Sequence, residues 1–396
     1  MQQSKTVVLG VTGGIAAYKA IDLVSYLRKR DINVEVIMTK NAAEFVSPLT
    51  FRSISGNDVI FDMFQEPRAW EIQHISLAKK ADLLAVVPAT ANIIGKVANG
   101  IADDMLSTTI MATNAPVIFA PAMNTNMYNN VIVQENINKL KTLNYEFIEP
   151  AKGRLACGDE GIGKLEDINK IAKVITRKLY QKKELIGKTV LVTAGPTIAP
   201  IDPVRYITNR STGKMGYAIA EEALNRGAHV ILISGPTSID VPYGADLIRV
   251  NTNQEMLDAV MSNMHESDII IKSAAVSDYK PEAYSSQKIK KNSDKLSIDF
   301  VIDNDILLQV GSKKRENQIL VGFAAESQNV IENARGKLLK KNLDFIVAND
   351  ISAEDTGFAS DDNRVVIIDK ETELHVEKMT KLQVAAKIFD VIEKRR

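Results

Sequence analysis

The sequence predicts an α/β protein of two doubly wound, Rossmann-like domains, and three observations carry that expectation. Short apolar runs alternate with helix-length amphipathic segments along the whole chain. The runs are continuously apolar rather than alternating, as suits parallel strands covered on both faces. The chain also begins twice: Lys5-Thr-Val-Val-Leu-Gly-Val-Thr-Gly-Gly14 is echoed by Lys188-Thr-Val-Leu-Val-Thr-Ala-Gly-Pro-Thr197. The basic, glycine-free stretch Thr176–Glu184 reads as a helix end leading into a linker, which divides the chain into domains 1–180 and 186–396.

In order, strands are expected at Thr6–Val11, Asn33–Met38, Asp82–Val87, Pro116–Ala120 and Tyr145–Ile148. Helices are expected between them at Ile15–Arg30, Ala91–Asn99, Asp104–Ala112 and Thr125–Leu143. The second half repeats the rhythm, with expected strands at Val190–Thr193, His229–Ile233, Ile269–Ser273, Ile319–Phe323 and Phe345–Ala348. Its expected helices are Gly216–Arg226, Gln254–Met264, Val330–Lys341 and Lys381–Lys394. Val365–Asp369 and Glu373–Glu377 read as two strands around a tight turn. They form either an antiparallel dimerisation arm or, equally, an edge hairpin of the same sheet. Ala283–Lys295, rich in Ser and Lys, reads as a mobile surface loop.

Composition excludes several function classes. The 396 residues are 45% hydrophobic and 25% charged, with 49 basic side chains against 49 acidic ones, which rules out disorder. Zero net charge gives no broad footprint for nucleic acid or an anionic membrane, so any phosphate recognition must be local. Cys157, the only cysteine, cannot form an intramolecular disulfide, no Cys/His cluster has zinc spacing, and a reducing, cytoplasmic setting is expected. Gly10, Gly13 and Gly14 interrupt the apolar N-terminus, and the amphipathic Tyr18–Arg30 follows. Neither an export signal nor a membrane span is therefore expected.

Two familiar motifs fail. Neither opening matches G-x-G-x-x-G, which argues against NAD. Gly158-Asp-Glu-Gly-Ile-Gly163-Lys164-Leu165 has phosphate-loop spacing, but Leu165 stands where a magnesium-binding hydroxyl is needed. These glycines instead suggest a flexible flap around Cys157.

Polar signals collect where the strands of the first domain end: Gly13-Gly14-Ile15, Thr39, Thr90, Asn92 and Pro121-Ala122-Met-Asn124-Thr-Asn-Met127-Tyr128. Glycines let a backbone approach a ligand and helix N-termini favour phosphate, so together they mark a pocket. The run His74-Ile-Ser-Leu, Ala81-Asp-Leu, Pro88-Ala-Thr-Ala-Asn92, Ala102-Asp-Asp-Met-Leu-Ser-Thr108 and Pro121 to Met127 resembles the flavin-dependent cysteine decarboxylases. Arg154-Leu-Ala-Cys-Gly-Asp159 is similar to the mobile substrate clamp of that family, and Tyr128 stands where its members typically carry Trp. The resemblance implies FMN held by Gly13, Gly14, Ile15, Thr39, Thr90, Asn92 and Ala122, with Met127 at the substrate. It further implies His74 near the substrate thiol, Asn124 on the substrate carboxylate and Cys157 as final proton donor. A flavin suits this chemistry because an N-acylated cysteine has no free amine for a pyridoxal Schiff base, so oxidation of its CH2-SH must supply the electron sink.

The second domain carries Asp202-Pro-Val-Arg205, Asn209-Arg-Ser-Thr-Gly, Ser273-Ala274-Ala275-Val-Ser-Asp278, Lys288-Ile-Lys-Lys291 and Gly322-Phe323-Ala-Ala-Glu326, with Lys337 and Lys341 one turn apart. In that order they resemble the phosphopantothenate-cysteine ligases. The resemblance implies CTP with Mg2+, an acyl-cytidylate from 4'-phosphopantothenate, and attack by L-cysteine. Lys288 would offset charge at phosphorus and Asn209 would serve the acyl-cytidylate step. Arg205, Ala274 and Ala275 would line the acyl site, while Asp278, Asp305, Phe323, Lys337 and Lys341 would hold CTP. Asn304-Asp305-Ile-Leu departs from the usual Pro-Asp-Ile, and the magnesium ligands are not readable. Both resemblances on one chain point to the bacterial bifunctional family of coenzyme A biosynthesis. That family implies a homo-oligomer of flavin-domain trimers and ligase-domain dimers, together a dodecamer. Two other readings are a tandem NAD-dependent oxidoreductase, opposed by the absent fingerprint, and a flavin-binding regulatory protein, which would need neither Cys157 in a clamp nor Lys288 in a ligase loop.

Overall fold

The computed structural model describes residues 4–62, 72–156, 158–180, 182, 184–290, 296–326, 328–350 and 360–395. The chain divides into two compact units, Met1–Tyr180 and Gln181–Arg396. In the first, six parallel strands lie in the spatial order Val59–Ile60, Asn33–Met38, Thr6–Val11, Leu83–Ala89, Val117–Pro121 and Glu146–Phe147. Leu83–Ala89 is buried along its full length, as a central parallel strand must be. Helix Ala20–Arg28 packs against Pro48–Ser55 and Ile168–Tyr180, while Ala91–Ala98 packs against Val131–Thr142. Val8, Leu84 and Val86 share one core with Ile93, Ile94, Leu106 and Ile110.

The second unit repeats the plan in eight strands. Their order is Ala245–Arg249, His229–Ser234, Thr189–Ala194, Ile269–Lys272, Ile319–Glu326, Phe345–Asp350, Asp362–Ile368 and Glu373–Thr380. The first six are parallel and the last two antiparallel. Alternate residues feed opposite cores: Val190, Val192, Ile269 and Ile271 enter one, Leu191 and Ile270 the other.

The twin openings have one physical meaning. Lys5 Nζ donates to Asp82 Oδ1 at 2.7 Å and the Thr6 N–H to Asp82 Oδ2 at 2.8 Å. In the second unit Lys188 Nζ and the Thr189 N–H donate to the two oxygens of Asp268, each at 2.9 Å. Each Lys-Thr pair thus clasps its strand to the start of the neighbouring central strand. Burial would raise the Asp82 carboxyl, but Lys5 and Thr6 together hold it below the usual range.

Several expectations are corrected. The helix expected over Thr125–Leu143 is two, Thr125–Tyr128 and Val131–Thr142, because Asn124 and Asn130 each cap a fresh start. Their side chains accept the N–H groups of Asn126 at 2.8 Å and Ile132 at 3.0 Å. The helix expected from Ile15 opens as a 3-10 turn, Ile15–Lys19, before Ala20–Arg28. The expected arm is the edge hairpin: Asp362–Ile368 pairs with Phe345–Asp350 of its own sheet and so continues it. The serine- and lysine-rich stretch joins an antiparallel ribbon of Tyr279–Pro281 and Phe300–Ile302, and residues 291–295 lie outside the described ones. Helices Pro48–Ser55, Gln73–Lys80 and Ile306–Lys313 and strand Ala245–Arg249 had no expected counterpart.

Candidate active sites at two switch points

In each unit the connections from two adjacent central strands run in opposite directions, which opens a crevice at their carboxyl ends. In the first unit these strands are Thr6–Val11 and Leu83–Ala89. The Thr12 hydroxyl stitches them, donating to the Pro88 carbonyl at 2.7 Å and accepting the Thr90 N–H at 3.1 Å. Above them lies a cavity of about 510 Å³ lined by Gly13, Thr39, Thr90, Asn92 and Met127, with Lys96, Asp103 and Asp104 on its wall. Thr39 and Thr90 cap the helices Lys40–Ala43 and Ala91–Ala98. A Cβ on Gly13 would lie 2.5 Å from that of Asn41, so only glycine lets the two loops meet beneath the cavity. The size and the glycine-floored, hydroxyl-rimmed lining fit a flavin nucleotide.

The polar wall is a preassembled network. Lys96 Nζ lies 2.7 Å from both Asp103 Oδ1 and Asp104 Oδ2, and Asp104 forms a capping box with Ser107 on helix Met105–Ala112. Burial opposes the Asp104 charge, yet Lys96 and Ser107 hold its carboxyl low. The motif Ala102 to Thr108 was visible in the sequence, but the role of Lys96 was not. Its signal is a lysine on the helix preceding two adjacent acids.

The clamp motif folds as an antiparallel hairpin, Ala151–Arg154 against Glu160–Lys164; Cys157 lies outside the described residues. Its second strand rests on the Asn124 loop: the Met123 N–H donates to the Gly163 carbonyl at 2.9 Å. Gly163 has φ +134°, and a Cβ there would approach the Met123 carbonyl oxygen to 2.3 Å. Gly163, the last glycine of the run that imitates a phosphate loop, is therefore there for close packing. Asn124 Nδ2 stands 3.5 Å from Asp159 Oδ2. Tyr128 is buried, and its hydroxyl donates to Glu149 at 2.6 Å. Half-buried His74 is the second residue of helix Gln73–Lys80; it, Gly14, Ala122 and Ile15, which is 61% exposed, do not line the cavity among the described residues.

In the second unit the crevice lies between Thr189–Ala194 and Ile269–Lys272, stitched where the Ala274 N–H donates to the Thr193 hydroxyl at 3.2 Å. A cavity of about 380 Å³ there gathers Asn209, Ala274, Ala275, Asp278, Phe323, Lys337 and Lys341. Asn209 Nδ2 donates to the carbonyls of Ala275 at 3.1 Å and Val276 at 2.9 Å, tying two motifs together. Lys337 pairs with Glu326 at 2.6 Å and Lys341 with Asp305 at 2.8 Å. Asp305 caps helix Ile306–Lys313, so it touches the site through Lys341 rather than lining it. Burial would raise its carboxyl, but Lys341 and the Leu308 N–H hold it low.

Arg205 and Lys288 stand beside this cavity rather than in it. Arg205 donates to Asp202 at 2.6 Å and to the Ile289 carbonyl at 2.7 Å, while the Ile289 N–H returns to Asp202 at 3.1 Å. Despite full burial, these donors hold the Asp202 carboxyl far below the usual range. The base of the Lys288 segment is thereby fixed, and Lys288 itself is exposed. Sequence reasoning missed Lys214, Lys272 and Lys381, which also line the cavity. Lys272 had a signal: a charge placed directly after three isoleucines, at the end of a central strand.

The flavoprotein family matches residues 1–180, and the DNA/pantothenate metabolism flavoprotein C-terminal domain matches residues 185–395. The chain is 50% identical over 398 residues to the coenzyme A biosynthesis bifunctional protein CoaBC of Bacillus subtilis (strain 168), covering 99% of this chain and 97% of that protein. The chain belongs to this family. The protein of the same name from Borreliella burgdorferi is 45% identical, with 99% and 100% covered, and that of Vibrio vulnificus (strain YJ016) 46% identical, with 92% and 91% covered. The chain is accordingly a bifunctional enzyme of coenzyme A biosynthesis, a flavoprotein with decarboxylase and ligase activities.

Proposed function

We propose that the C-terminal unit joins 4'-phosphopantothenate to L-cysteine at the expense of CTP, and that the N-terminal unit then decarboxylates the product with FMN. The observation that carries this reading is the convergence of Asn209, Ala275, Asp278, Phe323, Lys337 and Lys341, from separate segments, on one lysine-rich cavity. A carboxylate approaching a triphosphate brings like charges together, and fixed ammonium groups lower that cost. The carboxylate displaces pyrophosphate from CTP, the cysteine amine attacks the acyl carbon, and CMP leaves with the C–O bond electrons. Lys288, exposed beside an anchored segment, reaches the developing charge at phosphorus. Arg205 and Asp202 position that segment, and Asn209 keeps the Ala274–Ala275 turn shaped around the acyl group. Mg2+ would enter with CTP, held largely by its phosphates.

In the N-terminal unit Gly13, Thr39, Thr90 and Asn92 would hold FMN, with Met127 at the mouth of the cavity. When bound, FMN supplies the reversible two-electron oxidation that lets the substrate carboxylate depart as carbon dioxide. Asn124 orients that carboxylate, His74 serves the thiol end, and Cys157 returns a proton, a suitable acid because an unperturbed thiol has a pKa of about 8.5. The family implies trimers of this unit and dimers of the ligase unit, together a dodecamer, and light scattering tests that. For the chemistry, the protein is incubated with 4'-phosphopantothenate, cysteine, CTP and magnesium, and pyrophosphate and carbon dioxide are followed. Both are expected, and release of neither would overturn the reading. The Cys157→Ser variant should still release carbon dioxide but accumulate an unsaturated thiol.

A further inference from the structure

Five lysines line the C-terminal cavity: Lys214, Lys272, Lys337, Lys341 and Lys381. Four have an acceptor on the protein. Lys214 reaches Asp361 at 2.6 Å, Lys337 reaches Glu326 at 2.6 Å, Lys341 reaches Asp305 at 2.8 Å, and Lys381 donates to the Ser360 carbonyl. Lys272 has no such acceptor among the described residues. It ends strand Ile269–Lys272 at the switch point, on the floor of the crevice. Lys341 and Lys337 act on it from the end of helix Val330–Lys340, against Asp305 at the cap of Ile306–Lys313 and Asp278 in the loop after its own strand; Lys214 lines the same cavity. Burial, and next the Lys341 charge, push Lys272 down to about 8. A partly desolvated cation beside other cations is unfavourable until a counter-charge arrives.

We propose that Lys272 is an anion-binding residue for the phosphate chain of the nucleoside triphosphate, taking up a proton as the chain binds and returning it as pyrophosphate leaves. The inference rests on the ligase reading above and adds to it a contact and a proton linkage. Lys214, Lys337 and Lys341 already face a carboxylate and Lys381 a backbone carbonyl, so Lys272 is the cavity lysine that, among the described residues, is left to take its direct acceptor from the ligand. The proton comes from solvent, and no bond to Lys272 forms.

Calorimetric titration of CTP, and separately of inorganic pyrophosphate, into the full-length protein in two buffers of different ionisation enthalpy tests it. Proton uptake is expected on binding, larger at pH 8.5 than at pH 7. Lys272→Met should abolish the uptake and weaken CTP and pyrophosphate about tenfold or more, with CMP affected less. Lys272→Arg, permanently charged, should keep the affinity and lose the uptake, which covers the case of a Met variant that fails to fold. CTP binding by the wild type without proton uptake, or unchanged uptake in either variant, overturns the Lys272 proposal alone. A wild-type protein that neither binds CTP nor releases pyrophosphate overturns the ligase reading as well.

Discussion

Gly163 illustrates how one residue serves the decarboxylase through packing alone. Its φ of +134° and the 2.3 Å approach that a Cβ would make to the Met123 carbonyl leave no room for a side chain. Gly163→Ala should lift the hairpin from the Asn124 loop, lowering carbon dioxide release by at least about tenfold, since small misplacement of catalytic groups is costly. Pyrophosphate release should be unchanged, because that cavity belongs to the other unit. Equal loss of both activities would show that the substitution acts by unfolding the chain. At the same scale Tyr128 buries its ring and donates its hydroxyl to Glu149.

Single elements are held by charge where two of them must meet. Asp82 joins the first strand to its neighbour through Lys5 and Thr6, and its pKa is depressed in the folded protein. A depressed carboxylate contributes stability above its unfolded pKa of about 3.9 and loses it as pH falls through the folded value. Asp82→Asn should therefore destabilise the N-terminal unit by about 1 kcal/mol at pH 7, allowing for its partial exposure, with the difference vanishing in acid. Denaturant melts at pH 7 and at a pH below the depressed Asp82 value would show it, and a difference that persists there would refute the charge argument. Arg226 is the stronger case. Fully buried, it donates to Glu222 at 2.8 Å, Asp390 at 2.6 Å and Glu393 at 2.9 Å, joining helix Lys214–Asn225 to the C-terminal helix Lys381–Lys394. Arg226→Met strands those carboxylates, and a loss of about 3–5 kcal/mol is expected in thermal melts of the C-terminal unit alone.

At the level of the whole molecule, each unit contains its own sheet and its own cavity. Residues 1–180 and 185–396 produced as separate chains should therefore each keep one activity: the first yellow and able to decarboxylate, the second colourless and able to release pyrophosphate. Mixed together, they should restore the two-step conversion in the same order, ligation first. Loss of the ligase in the separated C-terminal chain would mean that its cavity needs the first unit. No described helix is long and apolar enough to cross a membrane.

The alternation of apolar runs and amphipathic segments was enough to specify two doubly wound units, because parallel strands buried on both faces leave a continuous apolar signature. Strands Thr6–Val11 and Asn33–Met38 and helix Lys381–Lys394 have the bounds that periodicity predicts. Asn124 and Asn130 were legible as residues but not as consecutive helix caps, since a cap depends on which N–H its side chain finds. Short strands such as Val59–Ile60 carry too few residues for a period and exist through pairing with a neighbour. The edge hairpin could not be told from a free arm, because the same two strands serve either; only pairing with Phe345–Asp350 decides it. Local motifs likewise singled out Asn209, Ala275, Lys337 and Lys341, yet Lys272, marked in the sequence only as a charge after three isoleucines, acquires its meaning beside Lys337 and Lys341, which are distant in the chain. Burial and charge neighbours are properties of the folded chain, and no spacing along the backbone encodes them.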